Sequence, residues 1–149
     1  MPNDNQAQPF TGTLTFLPSQ SKGLGEGHAP GGRTIRQNQA TGSWSGLQFG
    51  GHAATCSTFF GVGIADSPSS WKAQGYDVGT LANGDQFQGE WEEVSSGGIS
   101  TIQWRIKSGS GVLVGISGQG SGTCVADQNN VVTCQISGSY TLPKASAAK

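Results

Sequence analysis

Glu90, Glu92 and Glu93 form the only carboxylate cluster in the chain. On a strand, Glu90 and Glu92 share a face and stand about 6.6 Å apart. That separation superficially suits the paired acids of glycoside hydrolysis. Two residues of one strand, however, seldom flank a substrate from opposite sides, so this pair reads as a solvated outer face. Glu93 falls on the other face, continuing Phe87, Gly89 and Trp91. If that face points into a core, burial raises the carboxyl pKa and makes Glu93 a candidate general acid or base near a rim. If the strand frays there, Glu93 is simply exposed.

The remaining reactive side chains are few. Cys56 with His52 suggests a nucleophile and its base, but an i, i+4 pair on a strand spans about 13 Å, too far for a hydrogen bond or a shared metal. His28 lies in a glycine-rich stretch and joins a site only through the tertiary fold. Two histidines and no Cys-x-x-Cys leave no zinc pattern, and neither metal nor cofactor is expected. Cys124 and Cys134 flank a turn at Gln128-Asn129-Asn130, a spacing that suits facing positions on adjacent antiparallel strands. A disulfide there implies an oxidising compartment; the alternative is two buried thiols. Trp104, between Ile102 and Ile106, reads as packing or as part of a cavity lining. Trp44 and Trp71, beside Ser- and Gly-rich turns, could stack on a sugar or an apolar ligand at a barrel mouth. Gly-x-Ser-x-Gly and Walker sequences are absent.

The elements that position these residues are strands. Ile102, Trp104 and Ile106 alternate with Gln103, Arg105 and Lys107, and Val132, Cys134, Ile136, Gly138, Tyr140 and Leu142 share one face. No helical period outlasts a turn, because Gly interrupts nearly every window. Turn chemistry recurs at Asn83-Gly84-Asp85, Ser96-Gly97-Gly98, Ser108 to Gly111 and Asp127 to Asn130. Strands are expected near 10–17, 33–37, 41–49, 52–64, 72–81, 86–95, 99–107, 112–117, 121–126 and 131–142, with 20–32 a loop. Inward glycines let a sheet curve and make room for large cross-barrel side chains. The fold class is therefore all-β and antiparallel, a barrel or a sandwich with the inward glycines favouring the closed barrel, over residues 10–142, with flexible ends at 1–9 and 143–149.

Composition agrees. The chain has 149 residues, 25 of them Gly, 11% charged residues and a net charge of -1. One domain fits that length. Eight Lys and Arg without a basic run give no reason to expect nucleic acid or an anionic membrane, and no stretch approaches the roughly 18–20 apolar residues of a membrane helix. The polar start, Met1 to Gln8, carries no signal pattern. A periplasmic or secreted protein lacking its signal peptide and a cytoplasmic one both remain open.

Asn83-Gly84-Asp85, the Ser108 to Gly111 turn, and Val114-Gly115-Ile116-Ser117-Gly118-Gln119-Gly120 together resemble the allene oxide cyclase-like barrels, a group with dirigent proteins as structural relatives. Gly51-His52 to Cys56 and Gly75-Tyr76 resemble the preceding strands of bacterial secreted members. The resemblance covers roughly residues 40–123. It implies an eight-stranded barrel, often oligomeric, that holds a small apolar molecule and steers its cyclisation or coupling by shape. The chain departs from that pattern twice. Gly12-Thr13-Leu14-Thr15-Phe16 carries no first-strand carboxylate, and Asp77 stands where a second cysteine would pair with Cys56. Two functions follow. One is a barrel binding an apolar molecule, lined by Tyr76, Trp91 and Trp104, with Glu93 as the acid or base. The other is a secreted binding or structural module whose barrel is filled by side chains and whose function lies on loops such as 20–32.

Overall fold

Period-two alternation becomes ten strands in the computed structural model, which describes residues 6–67 and 69–143. They are β1 (Gln8–Phe16), β2 (Ser21–His28), β3 (Thr34–Ser45), β4 (Gln48–Phe49), β5 (His52–Ser67), β6 (Ser70–Leu81), β7 (Gln86–Ser96), β8 (Ile99–Gly109), β9 (Ser117–Ala126) and β10 (Val132–Thr141). From β5 to β10 each strand pairs antiparallel with the next. β10 returns to β1, and β3 bridges β1 and β5 to close an eight-stranded barrel. The expected architecture is the observed one, with β2 and β4 as two additional strands.

The tight hairpins form where backbone chemistry demands them. Gly84, Gly97 and Gly98 take positive φ, as does Asn130 in the β9–β10 turn, a conformation that primed and left-handed turns require. Asp85 fastens its corner by accepting from the Val112 amide at 3.0 Å, while its own amide donates to Asn83 Oδ1 at 2.9 Å.

Four boundaries differ from expectation. Residues 21–28, read as loop, form β2, because a strand needs only backbone groups to pair and β3 supplies them across residues 34–40. All of β2 is exposed, so no apolar alternation marks it. The two segments 33–37 and 41–49 are largely one strand, β3, whose polar middle is paired on both sides by β2 and β5. Residues 112–117 are mostly a 3-10 turn at Gly111–Leu113 and a bend, since positive φ at Gly111 and Gly115 ends extended structure. At the N-terminus β1 begins at Gln8, inside the stretch read as flexible; the tail from 144 onward lies outside the described residues.

The core fills the end of the barrel where β1, β7 and β9 begin. Leu47, Phe49, Leu113 and Ile116 plug that end, fully buried. Above them Phe49 meets Phe87 and Tyr140 edge-on, with centroids 5.3 and 5.0 Å apart, and Phe10 meets Trp104 at 5.8 Å. Such pairings add about 0.5–1.5 kcal/mol each beyond area burial. Glycine makes the crowding possible: a Cβ at Gly79 would fall within the Phe87 ring, and one at Gly61 would meet the Trp91 indole.

Candidate functional site

The opposite half of the lumen is not filled. A cavity of about 380 Å³ opens there, walled by Phe16, Phe59, Trp71, Trp91 and Ile102, with Glu93 among them. Its size lies within the usual range of small-molecule sites, roughly 300–1,000 Å³. Trp104 forms the floor, 2% exposed and stacked on Trp44 with centroids 5.6 Å apart. Cys124 and Cys134 sit directly opposite one another on β9 and β10 and are joined as a disulfide in the cavity wall. Of the two readings of these cysteines, the disulfide is the one observed.

Glu93 lies on the inward face of β7, with Ala73 and Ile102 as its cross-strand neighbours. Burial raises its pKa, and side-chain hydrogen bonds with Ser100 and Trp71 pull it partly back. A raised carboxyl is protonated more readily than a free one, so it can donate to a ligand oxygen or, once ionised, take a proton from it. Glu90 and Glu92 face outward and flank Arg105, Glu92 at 2.7 Å and Glu90 at 3.8 Å.

The sequence placed four side chains at a ligand. Trp91, Glu93 and Trp104 all line the cavity. Tyr76 does not: it points outward and is 68% exposed. On β6 the inward positions are odd, since Ala73, Asp77 and Leu81 are buried. Only the Tyr76 main chain takes part inside, its carbonyl accepting the Trp91 indole N–H at 3.1 Å. Trp44 is likewise not at a mouth; it is buried and donates its indole N–H to Ser57 at 2.7 Å. Trp71 does line the cavity.

Alternation puts Tyr76 and Asp77 on opposite faces of β6, so only one of them can face the lumen, and the inward residue is Asp77. It is 1% exposed, and both its oxygens accept from the Trp104 indole N–H, at 3.0 and 3.2 Å. Burial lifts its pKa from 3.8 to about 7, against the lowering effect of that hydrogen bond. The signal was present: the alternation of Ala73, Gly75, Asp77, Gly79 and Leu81 puts Asp77 on the apolar face. Cys56, without a partner cysteine, is half-buried and free. Among the described residues no three His, Cys, Asp or Glu stand close enough together to hold a metal, and no helix is long and apolar enough to cross a membrane.

The fold is similar to that of a pterocarpan synthase dirigent protein, with a TM-score of 0.61 over 95% of this chain and 91% of that one, at 8% sequence identity. At that identity the likeness is one of fold alone: the chain folds as a β-barrel similar to that protein's. No protein-family profile and no curated protein sequence matches it.

Proposed function

We propose that this barrel binds a small apolar molecule in its open half and steers a cyclisation or isomerisation of it, with Glu93 as the acid or base. The observation that carries the reading is the division of the lumen. One half is packed solid, while the other leaves about 380 Å³ between aromatic walls around a single carboxyl. Apolar walls supply non-directional affinity, and one convergent polar group fixes orientation. Trp91 holds its place through the Tyr76 carbonyl, so part of the wall is preorganised. The dirigent-like fold is consistent with a barrel that works by shape. The disulfide favours a periplasmic or secreted location.

Native mass spectrometry of the intact protein tests for a copurified ligand. In parallel, N-phenyl-1-naphthylamine, a neutral apolar fluorophore, should brighten on binding, and Ala73→Phe, which fills the cavity from β6, should abolish the effect. Absence of both a copurified ligand and probe binding sinks the proposal, as does probe binding unchanged in Ala73→Phe. If the lumen has a substrate, Glu93→Gln should remove turnover and leave the fold intact. A second reading, a secreted binding or structural module, is favoured by the filled half of the barrel, where Leu47, Phe49, Leu113 and Ile116 leave no open space.

A further inference from the structure

The outer wall carries a second concavity, of about 480 Å³, whose exposed side chains Phe60, Val62 and Tyr76 do not line the lumen, although Asn38, Gly61 and Trp91 border both. Cross-strand register assembles it. Phe60 on β5 stands opposite Tyr76 on β6, Tyr76 opposite Glu90 on β7, and Glu90 opposite Arg105 on β8. A parallel row runs Val62, Gln74, Glu92. Phe60, Val62 and Tyr76 are all exposed. The sequence suggests no apolar stripe on the outer face, because no single strand contributes more than two of these residues.

We propose that this groove is a binding site for a neutral saccharide chain. Three features select that chemistry. First, Phe60 and Tyr76 are neighbouring exposed rings, and the C–H faces of a pyranose ring match the negative face of an aromatic quadrupole. Second, the rings are bordered by groups that read hydroxyls: the Gln74 and Gln37 amides each donate and accept, and Arg105 and the two carboxylates offer planar, paired hydrogen bonds. Arg105 is already oriented by Glu92 at 2.7 Å, so little side-chain entropy remains to be lost on binding. Third, the charged groups stand in the groove itself, whereas the core of a protein–protein interface is depleted of them. Two carboxylates against one guanidinium disfavour an anionic sugar, and both are already paired with Arg105, so neither calls for a cationic one; a neutral sugar fits.

Tyr76 lines this groove and not the lumen cavity, so its variants test the groove separately. Cellohexaose, laminarihexaose and chitohexaose are titrated into the full chain by calorimetry and by saturation-transfer NMR. At least one should bind, with ring protons of the sugar receiving saturation. Tyr76→Ala should weaken that binding about tenfold or more, and Tyr76→Phe, which keeps the ring, should retain most of it. Both variants change an exposed side chain, and circular dichroism confirms that each is folded. No binding at millimolar sugar overturns the proposal, and so does binding that Tyr76→Ala leaves unchanged. Sedimentation adds a third arm: self-association of the wild type that Tyr76→Ala dissolves would make this face a contact between copies, and would also overturn it.

Discussion

Asp77 and Trp104 make one unit: a carboxylate with no cation beside it and an indole whose N–H is shared between both oxygens. The carboxyl pKa of about 7 in the folded state, against 3.8 ordinarily, means that the folded chain keeps a proton the unfolded chain has released. Its stabilising contribution is therefore fully present below pH 3.8 and is lost as pH rises through about 7. Each pH unit in that window is worth up to about 1.4 kcal/mol. Denaturant titrations should show the wild type losing stability between about pH 4 and pH 7 and levelling off above, and Asp77→Asn should flatten that dependence. Trp104 reports the same event optically. Tryptophan emission should titrate near neutrality in the wild type and not in Asp77→Asn; an identical titration in both would refute the assignment. Glu93 was legible because it extends an evident apolar face of β7. Asp77 was legible only in part: alternation set it opposite Tyr76, but Gly75 and Gly79 beside it carry no hydrophobicity to mark strongly which of the two faces is inward.

At the scale of elements, glycine and aromatic residues work as complementary shapes across neighbouring strands. Gly79 on β6 lies under the ring of Phe87, its directly opposite residue on β7. Gly79→Ala should destabilise the barrel by about 1–3 kcal/mol through overpacking, whereas Gly27→Ala on β2, with open space at its Cβ position, should leave the melting temperature nearly unchanged. The β9–β10 hairpin is cross-linked by Cys124–Cys134 over a sequence separation of 10. Replacing both cysteines with serine should cost about 2–3 kcal/mol by loop-closure entropy, measured as a lower unfolding midpoint. These hairpins were readable in the sequence, since Asn-Gly and Gly-Gly turns announce themselves. β2 was not, since its glycines, alternating with Lys22, Leu24 and Glu26, carry no burial pattern, and only its pairing with β3 makes it a strand. The bend after β8 was misread for the opposite reason: Val112, Val114 and Ile116 alternate as a strand would, but Gly111 and Gly115 turn the chain between them.

At the scale of the whole molecule, barrel closure rests on β3, which changes partner along its length. Residues 43–45 pair with β1, and residues 34–40 pair with β2. The chain leaves β1 at Phe16, makes the 3-10 turn Pro18–Gln20, and resumes as β2. β10, which accompanies β1 through Val132 opposite Phe16, has no pairing with β2. Around the open half of the lumen the wall is thus made in two pieces. From sequence this closure was expected only from the inward glycines and the family resemblance, because the partner switch depends on chain geometry between Phe16 and Ser21.

That divided wall gives the cavity a side panel. β2 contributes Ser21, Lys22 and Gly23 to the cavity lining, yet it is fully exposed and bonded along one edge alone among the described strands. Elements with few buried contacts open at low free energy while the rest of a domain stays shut. Amide hydrogens donated between β2 and β3 should exchange well before those of β9 and β10, without global unfolding; equal protection would mean the panel is welded. If the lumen holds a guest as proposed, fraying of this one hairpin widens the opening, so the guest's residence time depends on β2 as well as on how deeply it sits.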